Sequence, residues 1–268
     1  PSDLVKKIGE KYKVEQINHF KNFGTIMIKI ENKELEFVCA RKESYQKNSR
    51  NPKVEKGSLK QDIERRDFTI NAMAISLNKE NFGELVDMFN GFQDLENKIL
   101  RTPLDSKITF SDDPLRILRA IRFASTLQMQ IGEEEKIAIK KTSNRLSIIS
   151  FERISCELNK ILMSEKPSVG FLLMDELDIL KYVLPEMILL KGTETINNFT
   201  HKENFLHTLK VIDNVSSKSD NIWLRWAALL HDIAKPQTKR FDPMLGFTFH
   251  GHEILGSKMV VEIFRRLK

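Results

Sequence analysis

The chain is 268 residues long, enough for one large domain or two to three small ones, and its 41% hydrophobic and 30% charged residues are ordinary for a globular protein. No stretch approaches the roughly 20 apolar residues of a membrane-spanning helix, and Cys39 and Cys156, outside any C-x-x-C spacing, imply neither a disulfide framework nor a thiolate zinc site. A net charge of +6 favours a polyanionic partner such as nucleic acid, and a reducing, cytoplasmic compartment is the default.

In chain order, residues 1–92 read as mixed α and β. Pro1-Ser2-Asp3-Leu4 lacks an initiator Met and a signal-peptide pattern, so the true N-terminus is expected upstream. Gly24–Ile30 and Glu34–Ala40 read as two strands around the polar turn Glu31-Asn32-Lys33. Leu35, Phe37 and Cys39 fall on one face of the second strand, Glu34 and Glu36 on the other. A short helix capped by Ser58 leads into Arg65-Arg66-Asp67-Phe68-Thr69, followed by a strand through Ala72–Leu77 and the segment Gly83–Asp87. From about residue 93 the periodicity is helical. Ser111-Asp112-Asp113-Pro114 reads as a helix start, and 115–127, 133–143, 151–163 and 168–181 as successive helices. Five of the six histidines lie in the last 68 residues, and the chain stops at Lys268 inside a helical pattern, so the C-terminus also looks cut.

Three constellations carry chemistry. The string Arg65-Arg66-Asp67-Phe68-Thr69-Ile70-Asn71-Ala72-Met73-Ala74 sets two guanidinium groups, a carboxylate and an amide at one junction; Arg can clamp phosphates bidentately, and Asp67 and Asn71 suit ribose hydroxyls or a base edge. It resembles motif B of the class II tRNA nucleotidyltransferases, the CCA-adding and poly(A) polymerase-like family, almost letter for letter. In Asp112–Phe123, helical spacing puts Asp113, Arg116, Arg119 and Arg122 on one polar stripe, with Ile117, Leu118, Ile121 and Ala124 buried. Spacing alone also fits an ordinary amphipathic helix. The string resembles that family's motif D, which implies that Asp113 and Arg116 read the base of CTP or ATP by Watson–Crick-like hydrogen bonds. By the same resemblance Arg119 and Arg122, with Arg66, bind the triphosphate or orient the template. Asp112 stands where Glu is more frequent.

The resemblance extends from about Phe23 to Lys160. Phe23-Gly24-Thr25 with Glu34–Tyr45 is similar to the strand pair after the catalytic hairpin, which implies a catalytic role for Glu36 as a third acid beside the metal-binding pair. Asp87–Gly91 through Arg101-Thr102 is similar to motif C, and Phe151–Leu162 to motif E. The family's Gly-Gly-x-x-Arg-Asp loop and Asp-x-Asp pair should precede Phe23, and residues 1–22 contain neither. Two-metal phosphoryl transfer needs those carboxylates, so the sequence as given is not expected to catalyse nucleotide addition.

The third constellation is His207, His231-Asp232 and His250-Gly251-His252, imidazole and carboxylate groups suited to a divalent metal. The set resembles an HD domain, which implies His207, His231, Asp232 and His252 as ligands. No closing Asp follows Glu253, which leaves the ligand set incomplete by the family's pattern. The expected fold is therefore α+β: the remainder of a polymerase-β-type nucleotidyltransferase head with a small mixed sheet over 1–92, an all-α neck for nucleotide template and RNA binding over 93–190, and part of an HD-type helical domain over 191–268. The resemblance implies addition of C and/or A to tRNA 3′ ends, with Mg2+ at the polymerase site and the tRNA 3′ end, CTP and ATP as partners. Two alternatives stand beside it: an HD-type metal-dependent phosphohydrolase, and a fragment that only binds RNA or nucleotide.

Overall fold

The computed structural model describes residues 1–20, 24–45, 52–201 and 203–268; Phe23, the first residue of the expected strand-pair motif, lies outside the described residues. The chain folds as two compact units, Pro1–Arg66 and Asp67–Lys268.

The first unit runs α1 (Ser2–Gly9), β1 (Gln16–Phe20), β2 (Thr25–Ile30), β3 (Lys33–Val38), β4 (Arg41–Ser44), β5 (Lys53–Lys56) and α2 (Leu59–Glu64). β1, β2 and β3 form an antiparallel sheet in that order. The β2–β3 hairpin closes through two residues with positive φ, Glu31 at 46° and Asn32 at 64°, the turn whose twist matches the strands it joins. Val5 of α1 packs with Ile26 and Ile28 of β2, and Ile8, Val14, Ile30 and Phe37 border this small core. Of the residues expected on the inner face of β3, Phe37 joins the core while Leu35 stays 41% exposed. β4 and β5 pair separately, Arg41 opposite Lys56. The Ser58 cap is real and reciprocal: its Oγ accepts from Gln61 N, and the Gln61 side chain accepts from Ser58 N. α1, β1 and β5 are not among the predicted elements, although Leu4, Val5 and Ile8 already mark one apolar face of α1.

The second unit opens with a 3-10 turn at Thr69–Asn71, then β6 (Met73–Ile75), β7 (Leu85–Asp87), α3 (Gly91–Glu96), β8 (Ile99–Leu100), α4 (Ser106–Asp112), α5 (Leu115–Leu127), β9 (Gln130–Ile131), α6 (Glu133–Thr142) and α7 (Phe151–Leu162). It continues through α8 (Pro167–Glu176), α9 (Leu180–Val183), β10 (Glu194–Ile196), β11 (Phe199–His201), α10 (Asn204–Ser216), α11 (Ile222–Leu230), α12 (Lys235–Thr238), β12 (Arg240–Asp242), β13 (Gly246–Thr248) and α13 (His252–Leu267). One hydrophobic core links the helices from Phe68 to Leu267. β6–β7, β10–β11 and β12–β13 are antiparallel hairpins, and β8–β9 is a short parallel pair.

Two predicted boundaries need correction. Ser111 and Asp112 do not open the motif D helix; they end α4, which starts behind an Asp105 cap that accepts from Ile108 N. α5 starts after its N-cap Pro114, and the Asp113 carboxylate accepts from Leu115 N at 3.2 Å. The helix expected over 168–181 is two helices. Asp178 turns left-handed (φ 59°), Ile179 N donates to Met174 O and Asp178 N to Asp175 O, the paired bonds of a helix stop.

Two close approaches fix the packing of this unit. A Cβ on Gly91 would stand 2.2 Å from Thr69 O, so only glycine lets α3 lie against the 3-10 turn. Arg225 of α11, 2% exposed, uses all five N–H donors: Nε on Ser219 O, Nη1 on Leu162 O and Ser164 O, Nη2 on Ser216 O and Asp220 Oδ1. Leu162 ends α7 and Ser216 ends α10, so one buried guanidinium serves carbonyls that both helix ends leave without partners.

Candidate functional site

In the first unit, the helix α2 presents Asp62 to both arginines of the motif B string. Asp62 Oδ1 accepts from Arg65 Nε (3.1 Å) and Nη2 (2.7 Å), and Oδ2 from Arg66 Nη2 (3.2 Å). Burial pushes the Asp62 carboxyl up, but these guanidinium bonds outweigh it and hold it below its ordinary value. Arg66 keeps 45% of its side chain exposed, so it remains able to reach an anion. Glu36 lies on β3 opposite Met27 and is exposed.

In the second unit the structure brings Asp67, Asn71 and Arg119 together. Asp67 is 8% exposed. Its Oδ2 accepts from Arg119 Nε (2.7 Å) and lies 2.6 Å from Arg119 Nη2; its Oδ1 accepts from Phe68 N (3.0 Å) and Asn71 Nδ2 (3.1 Å). The carboxylate thus serves Arg119 rather than facing open solvent. Arg122, one turn on, sets its Nε 3.1 Å from Glu157 Oε2 of α7, and Glu157 in turn accepts from Lys160. Phe123 sits between the two arginines, with the Arg119 and Arg122 guanidinium carbons 5.3 and 4.2 Å from its ring centre and Phe68 edge-on at 5.7 Å. Arg116, expected on an open polar stripe with Asp113, is only 8% exposed; its backbone N–H donates to Asp113 O in the first turn of α5. The hydrophobic half of α5 is as the spacing predicts: Ile117, Leu118 and Ile121 are fully buried and Ala124 is 1% exposed.

The motif C segment braces this site. Asp94 of α3, 1% exposed, accepts from Thr69 Oγ1 and Arg101 Nη1, each at 2.7 Å, and Thr69 N donates to Arg101 O. Sequence reasoning assigned no role to Asp94 or Glu157, since each stands among other polar and charged residues of its segment and nothing local marks it out.

The third constellation converges on Asp232, which is 3% exposed. His231 Nε2 stands 3.2 Å and His207 Nε2 3.9 Å from Asp232 Oδ2, while His252 Nε2 is 3.9 Å from Oδ1. His207, His231 and Asp232 offer ligand atoms all within 4.8 Å of one another; His252 faces the other oxygen, and His250 is exposed outside the cluster. His231 Nδ1 is 2.8 Å from Ala228 O and His252 Nδ1 2.8 Å from Phe249 O. A carbonyl can only accept, so both Nδ1 atoms carry the proton and each Nε2 is left facing the carboxylate: a protonated ring pairs with Asp232, and a neutral one offers its lone pair to a metal. Two imidazole nitrogens and a carboxylate oxygen converging in this way are a donor set that fits a divalent metal. Lys235 Nζ, unpredicted, already sits 2.7 Å from Asp232 Oδ2. The Asp232–His231 hydrogen bond raises the His231 pKa; burial pushes Asp232 up, but bonds from His231 and Lys235 outweigh it and hold it at about 2. Among the described residues, no other group of three such side chains is close enough to hold an ion, and Glu36 belongs to none. Among the described residues, no helix is long and apolar enough to cross a membrane.

Comparison with known proteins follows the same order along the chain. Residues 1–101 match the poly A polymerase head domain, 128–190 the probable RNA and SrmB-binding site of polymerase A, and 204–268 the HD domain. The A-adding tRNA nucleotidyltransferase of Deinococcus radiodurans is 34% identical over 219 residues, covering 79% of this chain and 49% of the relative. That of Aquifex aeolicus is 43% identical over 142 residues, covering 53% of this chain and 17% of the relative. The crystal structure of a tRNA nucleotidyltransferase complexed with a primer tRNA and an incoming ATP analog superposes with a TM-score of 0.61 at 25% identity, over 95% of this chain and 67% of that one. The chain thus spans about half the length, or less, of the curated relatives it matches. A poly A polymerase head, the RNA-binding segment of polymerase A and an HD domain thus follow one another along this α+β chain, in line with its similarity to A-adding tRNA nucleotidyltransferases.

Proposed function

We propose that the whole protein is a tRNA nucleotidyltransferase that adds C and/or A to tRNA 3′ ends from CTP or ATP. The observation that carries this reading is the buried Asp67–Arg119 bond, which ties the motif B turn to the motif D helix across 52 residues. Asp113 and Arg116 present donors and acceptors to the base edge. Arg119 and Arg122, held by Asp67 and Glu157, and Arg66, held by Asp62, meet the triphosphate. Asp67 and Asn71 act chiefly by aiming Arg119. The primer's terminal hydroxyl attacks the α-phosphate and pyrophosphate leaves. Mg2+ supplies charge neutralisation at that centre. Glu36 is the one carboxylate of this chain assigned to it, since no Asp-x-Asp pair precedes Phe23 in this sequence. The chain by itself binds nucleotide without transferring it.

Three parts divide the work: a head over 1–92, a template and RNA-binding neck over 93–190 that grips tRNA by phosphate and shape, and an HD part over 191–268. The family matches support these divisions. In the HD part, His207, His231, Asp232 and His252 hold a divalent metal. A cytoplasmic setting suits the two free thiols, Cys39 and Cys156.

Calorimetry of CTP, ATP, GTP and UTP against the chain tests the template, with Arg116→Ala as the control. Selective binding of CTP and ATP, lost in the variant, is expected; equal binding of all four nucleotides refutes it. Failure of the whole protein to extend tRNA lacking its 3′ end, with CTP and ATP present, refutes the activity.

A further inference from the structure

Asp232 already has a cation, and it is part of the chain. Lys235 Nζ lies 2.7 Å from Asp232 Oδ2, the same oxygen that faces His231 Nε2 at 3.2 Å and His207 Nε2 at 3.9 Å. That oxygen is the one on which the two histidines converge, and a metal there would sit about 2.0–2.2 Å from it. An ammonium 2.7 Å from the same atom competes with an ion for that oxygen, and two cations on one buried carboxylate repel strongly. Lys235 cannot simply stay. The contact is short-range and built in: Lys235 N donates to Asp232 O, so three residues of backbone return the ammonium to the carboxylate.

The lysine also has somewhere to go. Its side chain is 23% exposed and lines a cavity of about 410 Å3 with Asn204, His207, Phe247 and Phe249. Its Nζ is 5.7 Å from the Phe249 ring centre, within the range where an aromatic face attracts a cation.

We propose that Lys235 is a resident counter-cation of the Asp232 centre: it neutralises the buried carboxylate when no metal is present, and a divalent ion enters only by displacing it into the neighbouring cavity. Metal affinity is then the outcome of an exchange between two cations, lower than the four ligands alone would give. The displaced ammonium adds a positive charge to the cavity beside His207 only when the metal is in place. This exchange rests on the metal reading of His207, His231, Asp232 and His252 given above.

Titration of Mn2+ into the metal-stripped 268-residue chain by calorimetry tests it, comparing the native protein with Lys235→Met, Lys235→Arg and His231→Ala. Lys235→Met is expected to bind Mn2+ at least tenfold more tightly than the native chain, Lys235→Arg within a few-fold of it, and His231→Ala much more weakly. In the absence of metal, Lys235→Met is expected to melt at lower temperature, because Asp232 loses its partner, and saturating Mn2+ is expected to restore it. Equal or weaker binding by Lys235→Met overturns the exchange while leaving the metal centre standing. Binding by none of the four proteins overturns the metal centre and the exchange with it. Should Lys235→Met fold poorly, Lys235→Gln removes the same charge with a smaller change in polarity and is held to the same tenfold expectation.

Discussion

Replacing Arg225 by Met keeps an unbranched apolar stem and removes every donor. Four backbone carbonyls, of Leu162, Ser164, Ser216 and Ser219, lose their bond to a charged partner in a site 2% exposed. The Asp220 contact is left out, because that side chain is 94% exposed and its pairing is screened by water. Leaving a buried acceptor unpaired costs about 1–3 kcal/mol, but carbonyls retain a second lone pair and some find other donors, so about 1 kcal/mol each is reasonable. The sum, about 4 kcal/mol, agrees with the ~3–5 kcal/mol typical of breaking a buried charge interaction. The chain's two tryptophans, Trp223 and Trp226, both lie on α11 beside this arginine, so tryptophan emission during urea unfolding reports on the affected helix. Arg225→Met is expected to lower the unfolding free energy by about 4 kcal/mol, and Arg225→Lys by about half that, since one ammonium cannot reach carbonyls at two helix ends. A loss under ~1 kcal/mol in Arg225→Met would mean that the carbonyls find other partners and that the arginine is dispensable to the fold.

Three further outcomes follow from named contacts. Asp67→Ala removes the acceptor of Arg119 and is expected to weaken CTP and ATP binding about tenfold, while the preference over GTP and UTP survives; calorimetry separates the two, and loss of preference would assign Asp67 to the base. Glu186 accepts from Arg266 Nη1 and Nη2 at 2.6 and 2.8 Å; burial pushes its carboxyl up, the bidentate bond outweighs this, and the net value lies below the ordinary one. A depressed native pKa stabilises the fold above the unfolded value of about 4.3 and loses that effect as pH falls through the native value, so the stability gap between native protein and Glu186→Gln is expected to be full at neutral pH and to shrink in acid. Gly170→Ala puts a Cβ 2.4 Å from Ile161 Cγ2, and a net loss of about 1–2 kcal/mol by urea unfolding is expected even after the better helix propensity of Ala is included; a gain would show that α7 and α8 separate freely.

Local chemistry was legible where a local rule decides the outcome. The Ser58 cap, the buried stripe Ile117-Leu118-Ile121 and the hairpin turn at Glu31-Asn32 each follow from spacing or turn preference. Ser111-Asp112-Asp113-Pro114 misled because capping residues also tolerate a helix's last turn. What decides is the burial of Thr109 and Phe110, which draws 106–112 into a helix of its own. The parallel pair β8–β9 joins residues 99–100 to 130–131 and has no periodicity to betray it. The same holds for the candidate sites. Which arginines share a helix face can be read from spacing, but the partner each one finds, Asp67 for Arg119 and Glu157 for Arg122, is set by contacts between distant segments. Lys235 is the exception that could have been found: it lies three residues after Asp232, within reach of an i,i+3 pairing.

Arg119 and Arg122 of α5 are restrained by the fold itself. Arg119 is tied to Asp67, Arg122 is paired with Glu157, and both flank the Phe123 ring. Ordering a long, flexible guanidinium side chain on binding usually consumes part of the affinity gained from its contacts. Here that entropy is lost once, when the polypeptide folds, and is not lost again at each encounter. Under the proposed reading, a triphosphate would meet two guanidinium groups already aimed, and any choice between bases would fall to Asp113 and Arg116 rather than to this pair.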